Sequence, residues 1–145
     1  MVTLFGESHG PAVGALIEGM PANTKLDVDQ LIADMISRRP GSGLASKRKE
    51  TDDVEILSGV NDGKTTGMPI LLLIKNRDVK SKDYSFLPYQ PRPGHVDHPI
   101  SVKTGGAADL RGGGSFSARL TAGLVAAASI SRNILPKEWK IEATV

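Results

Sequence analysis

Three consecutive glycines, Gly112 to Gly114, run directly into an alanine-rich segment, and this combination constrains the fold more than any other stretch of the chain. Glycine tolerates positive φ angles, so the backbone of such a run can come very close to a ligand. The segment from Ser117 to about Asn133 would be apolar on nearly every side of a helix, which is typical of a buried helix. We therefore expect a buried central helix that begins at the glycines.

Two functions are compatible with this glycine run. The free N–H groups and the dipole of a helix start attract anions. Arg111 and Arg119 add fixed positive charge on its two sides. These features predict a cradle for a phosphate or a carboxylate. The alternative is a glycine turn that only leads the chain into a buried helix.

Apolar patterns elsewhere in the chain predict a second helix and several strands. The second helix is expected over residues 27–37, where Asp27 can cap the start and Gln30 stands at the matching capping-box position. Strands are expected at residues 2–5, 13–17, 54–57 and 70–74. Strands on both sides of a central helix predict the α+β class, with residues 1–145 forming a single domain. The apolar stripe of the second helix comprises Val28, Leu31, Ile32, Met35 and Ile36.

A polar turn between the first two predicted strands carries chemically active side chains. Residues 6–10 read Gly-Glu-Ser-His-Gly, so an acid, a hydroxyl and an imidazole lie between two glycines. Side chains on an exposed turn reach a ligand more easily than side chains inside a strand. Ser8 and His9 are therefore candidate functional residues. The alternative is a hairpin loop in which His9 bonds only to the local backbone.

A second histidine lies in a proline-rich loop at residues 91–99. An imidazole can give or take a proton near neutral pH, and the neighbouring Asp97 would increase the basicity of His95. A metal site formed by His95, Asp97 and His98 is an alternative. However, three ligands within four residues of one loop can rarely all face one ion. A purely structural loop is the third interpretation.

A basic segment follows the second predicted helix. Arginines suit the negative carboxyl end of a helix. The segment as a whole is either a solvated surface or a mobile loop that closes over an anionic ligand. No aromatic residues lie between the cations to stack on bases, so nucleic acid is not an expected partner. The cations are Arg38, Arg39, Lys47, Arg48 and Lys49.

Composition and charge argue against several classes of protein and kinds of site. The net charge is only +2, which does not require a nucleic-acid partner. No apolar run is long enough to span a bilayer, and the chain shows no signal-peptide pattern. The absence of cysteine excludes disulfides and thiolate metal sites. We expect a cytoplasmic protein without a membrane partner.

Motifs at six separated places resemble the chorismate synthase family in order and spacing. Residues 6–21, Gly-Glu-Ser-His-Gly-Pro-Ala-Val-Gly-Ala-Leu-Ile-Glu-Gly-Met-Pro, resemble the N-terminal signature of the family. Residues 114–121, Gly-Ser-Phe-Ser-Ala-Arg-Leu-Thr, resemble its second signature. Between them lie matching segments at residues 38–41, 56–60, 65–67 and 92–95. The resemblance extends from about residue 5 to residue 135.

The resemblance implies a lyase of the shikimate pathway of aromatic amino-acid biosynthesis. Such an enzyme converts 5-enolpyruvylshikimate 3-phosphate to chorismate and phosphate by a 1,4-anti elimination. The implied cofactor is reduced FMN, with NADPH as a candidate reductant, and the partner is a small phosphorylated substrate. The implied fold is a layered strand–helix–strand sandwich with a buried central helix, and the family assembles as a homotetramer.

The resemblance also assigns roles to residues of this chain. His9 corresponds to the acid that assists phosphate departure, and His95 to the second active-site histidine, which serves the reduced flavin. The implied substrate or phosphate ligands are Ser8, Arg38, Arg39, Arg48 and Arg119. The implied FMN contacts are Arg38, Arg111, Ser115, Phe116 and Ser117. No metal is implied.

The chain departs from the family pattern at several positions. The basic segment is one residue shorter near Leu44, so the second basic-loop arginine of the family has no clear counterpart. Many members have Arg-Ser where this chain has Ser115-Phe116, and Lys-Tyr where it has Lys103-Thr104. The family chain is also longer, and its later part supplies further flavin contacts and a catalytic aspartate. We therefore expect an N-terminal portion that does not turn over alone, with an incomplete sandwich.

Two other hypotheses belong to different functional classes. A non-catalytic module could keep the basic segment and the glycine cradle for binding an anion or flavin. A small metal-binding hydrolase would instead use His95, Asp97 and His98 as ligands.

Overall fold

A computed structural model of the chain describes residues 1–39, 50–136, 138–142 and 144. Arg48 and the rest of the predicted basic loop therefore lie outside the described residues. Short 3₁₀ segments occur at Ser81–Tyr84, Arg111–Phe116 and Ala118–Leu120. The strands are β1 (Val2–Gly6), β2 (Ala12–Ile17), β3 (Val54–Ile56), β4 (Val60–Asn61), β5 (Lys64–Thr65) and β6 (Ile70–Lys75). The helices are α1 (Val28–Ser37), α2 (Asp97–Lys103) and α3 (Thr121–Arg132).

Four of these strands form an antiparallel sheet in the order β1-β2-β6-β3. The register pairs Val13 with Ile74 and Ala15 with Leu72 across the two central strands. Because side chains alternate across a strand, these residues share one face of the sheet, and all four are fully buried. This apolar face forms one side of the hydrophobic core. The strands β4 and β5 form a separate two-stranded hairpin.

The alanine-rich helix α3 packs on this face of the sheet. Ala122, Ala126 and Ile130 are fully buried against the apolar strands. Gly123 lies directly over the backbone of Gly14 in β2, and an added Cβ would be 2.5 Å from the Gly14 carbonyl oxygen. The small residues of α3 therefore bring its backbone unusually close to the sheet.

Helix α1 packs against α3, and its start confirms the predicted cap. The Asp27 carboxylate accepts a hydrogen bond from the backbone N–H of Gln30 at 2.9 Å. The Gln30 side chain, however, donates to Asp34 at 2.8 Å, so it does not complete a capping box. Only part of the predicted stripe is covered, since the contact with α3 reaches one side of α1. The buried members are Leu31 and Met35, and the exposed members are Val28, Ile32 and Ile36.

The α+β class is confirmed, with helices covering one face of an antiparallel sheet. Helical structure begins beside the predicted start at Ser117, whose side chain caps it by accepting from the Arg119 N–H at 3.2 Å. The first turn, Ala118–Leu120, is a 3₁₀ turn, and the α-helix proper begins at Thr121. In the part of the chain described here, no helix has the length and apolar character needed to cross a bilayer.

The contact between α3 and β2 predicts that Gly123→Ala destabilises the protein. Alanine normally stabilises a helix relative to glycine by about 1 kcal/mol, but here its methyl group would meet backbone rather than a flexible side chain. We expect a net loss of about 1–3 kcal/mol in the free energy of unfolding, measured by urea denaturation.

The exposed Ala128 on the same helix provides the matched control. Its substitution Ala128→Gly should cost about 1 kcal/mol through helix propensity alone. A Gly123→Ala variant as stable as the wild type would contradict the close packing of α3 on β2.

Candidate active site

The first predicted histidine, His9, lies in the turn that joins β1 to β2. Asn76, which directly follows β6, holds this turn in place. Its side-chain Nδ2 donates to the carbonyl oxygens of Glu7 at 3.0 Å and Gly10 at 2.9 Å. The neighbouring Ser8 is buried, and its backbone N–H donates to the Gly114 carbonyl oxygen at 3.1 Å. The turn is therefore tied both to the sheet and to the glycine run.

The 3₁₀ segment Ser81–Tyr84 contacts the imidazole of His9. The Ser81 hydroxyl oxygen lies 3.2 Å from His9 Nδ1. The ring of Tyr84 meets the imidazole edge to face, with ring centroids 4.8 Å apart. The interpretation of His9 as a residue that bonds only to its local backbone is therefore wrong. Its side chain interacts with a segment more than 70 residues away.

The second predicted histidine, His95, lies in the loop before α2 and is paired with a buried carboxylate. Its Nδ1 is 2.7 Å from Oδ1 of Asp97, whose side chain has no solvent exposure. The guanidinium of Arg92 donates to both oxygens of Asp97, at 2.8 and 2.7 Å. These charge-assisted hydrogen bonds hold the pKa of Asp97 well below its ordinary value.

This pairing determines which nitrogen of His95 faces the site. Nδ1 of His95 lies 2.7 Å from Asp97 and 3.1 Å from a terminal nitrogen of Arg92. The carboxylate is the closer partner and can only accept hydrogen bonds, so we assign the proton between Asp97 and His95 to Nδ1. The other ring nitrogen, Nε2, is then free of the carboxylate and lies on the side of Gly113. Arg92 and Asp97 thus fix both the tautomer and the direction of the ring.

The two histidines meet at the glycine run. Gly112, Gly113 and Gly114 all have positive φ angles, of 58°, 86° and 54°, as predicted for these glycines. A Cβ on Gly112 would be 2.7 Å from Cδ2 and 2.9 Å from Nε2 of His9. A Cβ on Gly113 would be 3.5 Å from Cε1 of His95. The missing side chains of two adjacent glycines therefore leave room for two imidazoles.

The predicted flavin contacts lie immediately after these glycines. Ser115 is exposed, Ser117 is half-buried, and the aromatic ring of Phe116 is 58% exposed. Arg111 is engaged by Asp109, which accepts from its Nε at 2.8 Å and from a terminal nitrogen at 2.7 Å. The structure therefore places an exposed aromatic ring shortly after the glycine run, of which Gly113 and Gly114 are buried.

Two of the predicted phosphate ligands converge on a buried carboxylate, that of Asp52. The guanidinium groups of Arg38 and Arg119 both donate to it. Arg119 is itself only 8% exposed, and its Nε also donates to Oδ1 of Asn76 at 2.8 Å. The charge of Arg119 is thus compensated inside the protein, whereas Arg38 keeps part of its side chain at the surface. A phosphate contact for either residue stays a prediction.

Arg39, another predicted phosphate ligand, lies near the carboxylate of Asp53, at 3.9 Å from one of its terminal nitrogens. The same nitrogen donates to the carbonyl oxygen of Thr51. Its Nε is buried and has no hydrogen-bond partner among the described residues. The position of Arg48 is not described, so its predicted role is neither supported nor contradicted.

The three side chains of the alternative metal site, His95, Asp97 and His98, do not converge on one point as metal ligands must. Asp97 directs its carboxylate to Arg92 and His95, while His98 is exposed. Within residues 1–39, 50–136, 138–142 and 144, no cluster of three or more histidine, aspartate or glutamate side chains is arranged to hold an ion.

The sequence did not predict four of the residues that shape the site: Asp52, Asn76, Ser81 and Tyr84. The hydrogen bonds of Asn76 reach residues 43 and 69 positions away in the chain, so no local pattern indicates them. Tyr84 gave a weak signal, as an aromatic residue in a polar segment. The role of Asp97 beside His95 was anticipated from their spacing.

The buried ion pair of Asp97 predicts a specific dependence of stability on pH. A carboxyl whose pKa is lowered on folding stabilises the protein above its ordinary pKa of about 4, and this contribution is lost as the pH falls below that value. Asp97→Asn should therefore lower the free energy of unfolding by about 3 kcal/mol at neutral pH. The difference from wild type should shrink as the solution is acidified.

Urea denaturation between about pH 2 and pH 7 measures this difference. Asp83→Asn is the control, because Asp83 lies on an exposed turn and its substitution should change stability little at any pH. A difference between wild type and Asp97→Asn that stays constant below pH 4 would show that the carboxylate does not act through its charge.

Comparison with known proteins identifies the family. A family model described as chorismate synthase matches residues 1–145. The chain is 47% identical over 136 residues to the chorismate synthase of Thermococcus kodakarensis, covering 94% of this chain and 38% of that protein. It is 51% identical over 142 residues to that of Ralstonia pickettii, covering 97% of this chain and 38% of that protein.

A solved structure agrees with these relatives. A crystal structure of chorismate synthase superimposes with a TM-score of 0.66 and 32% sequence identity, over 92% of this chain and 32% of that one. The chain thus spans less than two fifths of the length of both curated relatives named above. The chain belongs to the chorismate synthase family.

Proposed function

We propose that this chain provides the two-histidine part of a chorismate synthase active site. The reaction would be the 1,4-anti elimination of phosphate from 5-enolpyruvylshikimate 3-phosphate to give chorismate, in the shikimate pathway. The observation that carries the proposal is the meeting of His9 and His95 over Gly112 and Gly113. Two proton-transfer groups held at two adjacent glycines suit a reaction that loses both a phosphate and a proton.

The residues around the glycines fit reduced FMN, the cofactor that the family resemblance implies. The exposed residues Ser115 and Phe116 follow directly on the glycines that accommodate the two imidazoles, so a flavin bound there would lie near both histidines. The exposed ring of Phe116 can pack against the flavin ring system, and the hydroxyls of Ser115 and Ser117 can bond to its polar edge. Reduced FMN would supply electron density for phosphate departure and a base for the proton lost from the substrate.

His9 would act on the leaving phosphate. As an imidazolium it can donate its Nε2 proton to a phosphate oxygen, which makes the phosphate a better leaving group. The guanidinium groups of Arg38 and Arg39, both partly exposed, would compensate the negative charge. His95, with its ring fixed by Asp97, would hold or deliver a proton at Nε2 on the flavin side.

A second candidate is a binding module that holds flavin or an anion without turnover. The observation that favours it is the coverage, since the chain spans less than two fifths of its curated relatives. The homotetramer, the cytoplasmic location and NADPH as reductant stay predictions for this chain.

A hybrid enzyme tests the catalytic proposal. Residues of this chain that match the Thermococcus kodakarensis protein would replace their counterparts in that relative, and chorismate formation would be measured with reduced FMN. Replacing either histidine with alanine should lower turnover by at least 100-fold, the usual contribution of one acid–base group. His98→Ala is the matched control, because His98 is an exposed histidine in the first turn of α2, three residues after His95.

Each outcome of the hybrid experiment has a clear meaning. An active hybrid in which His9→Ala and His95→Ala keep full turnover would remove both residues from the mechanism. A well-folded hybrid that binds reduced FMN but forms no chorismate would favour the binding module.

The chain itself should bind reduced FMN, which can be titrated under anaerobic conditions by absorbance or fluorescence. Phe116→Ala should weaken binding about 2- to 10-fold, because an aromatic contact contributes about 0.5–1.5 kcal/mol. Val102→Ala removes another exposed apolar side chain on a different element and should leave the affinity unchanged. An equal loss of affinity for reduced FMN in both variants would contradict a flavin contact at Phe116.

A further inference from the structure

The 3₁₀ segment Ser81–Tyr84 contacts His9 through two different interactions. Ser81 Oγ lies 3.2 Å from Nδ1 of the imidazole. The ring of Tyr84 stands nearly perpendicular to the imidazole, at 78°, with a centroid distance of 4.8 Å. A hydrogen bond at one nitrogen and a ring contact together restrict both the protonation pattern and the plane of the imidazole.

Tyr84 also lies against the group that holds the other histidine. The guanidinium carbon of Arg92 is 5.4 Å from the centre of the Tyr84 ring, within the range of a cation–π contact. Arg92 in turn donates to Asp97, the carboxylate that binds His95. The ring of Tyr84 thus contacts both His9 and the arginine that supports His95.

We propose that Ser81 and Tyr84 are positioning residues for His9. The Ser81 Oγ accepts a hydrogen bond from Nδ1–H of His9. The other nitrogen, Nε2, faces Gly112 and is therefore the one that exchanges a proton with a ligand. Tyr84 fixes the plane of the ring. The catalytic meaning of this arrangement rests on the proposed function, whereas the tautomer and the ring contact do not.

The direction of the Ser81 hydrogen bond follows from the chemistry of an imidazolium acid. Both ring nitrogens of a protonated histidine are donors, so the Ser81 oxygen must then accept. On proton transfer the N–H bond at Nε2 breaks and an O–H bond forms on the leaving phosphate. The proton on Nδ1 stays in place, and its hydrogen bond to Ser81 is unchanged. Ser81 therefore fits both states without rearranging.

The tautomer of His9 can be measured in this chain without flavin or substrate, by ¹⁵N NMR of the histidine side chains at a pH where they are neutral. The proposal predicts the Nδ1–H tautomer for His9 in the wild type. Ser81→Ala should shift the population toward Nε2–H, the form that free histidine prefers in water, whereas Ser81→Thr should keep Nδ1–H. Ser85→Ala, a hydroxyl loss at the exposed next residue after the segment, should change nothing.

The ring contact gives an independent signal. The ¹H shifts of the His9 imidazole should move in Tyr84→Leu, because the ring current of the tyrosine is lost. Tyr84→Phe keeps the ring and should preserve those shifts, so a failure of the leucine variant to fold still leaves a test. Tyr89→Leu is the control, since Tyr89 is 88% exposed on the same loop.

The outcomes separate this proposal from the proposed function. A wild-type His9 in the Nε2–H form, or one unchanged by Ser81→Ala, would overturn the role of Ser81. If the ¹H shifts of the His9 imidazole stay unchanged in a folded Tyr84→Leu variant, the role of Tyr84 is overturned. Either result can occur beside an active hybrid enzyme. Conversely, a hybrid without lyase activity would leave the measured tautomer and ring contact intact.

Discussion

The buried carboxylate of Asp52 is the interaction on which the arrangement of the site depends. It receives the guanidinium groups of Arg38, at the end of α1, and Arg119, just before α3. Burying a carboxylate is costly unless opposite charges and hydrogen bonds surround it. All partners must therefore be in place together. Through Asn76, which accepts from Arg119 and clamps the turn around His9, the same network fixes one wall of the site.

Rigid supports of this kind explain why the glycine run between the two histidines needs no side chains of its own. The turn of His9 is tied to the carbonyl oxygen of Gly114 through the Ser8 N–H, and His95 is held by Asp97. Because the imidazoles are fixed from outside, the backbone at Gly112 and Gly113 need only leave room for them. Glycine at positive φ meets that requirement, whereas a Cβ at Gly112 would overlap with His9.

Local patterns predicted local features of this fold well. The cap at Asp27 and the positive φ angles at the glycine run depend on a few neighbouring residues, and both are confirmed. The single apolar stripe predicted for α1 is present, yet Ile32 within it is half exposed because α3 covers one side of α1. The partners of Asp52 and Ser81 lie far away in the chain, where a single sequence contains no signal of contact. The two histidines and Asp97 could be named from the sequence, but the supports of His9 could not.

The supports of the two histidines have one electrostatic property in common. Asp97 carries a full negative charge, but Arg92 lies on the same carboxylate and compensates it. The group that holds His95 is therefore close to neutral, as is the Ser81 hydroxyl at His9. The orientation of the two rings is thus achieved by two chemically different supports, a compensated carboxylate at His95 and a hydroxyl at His9.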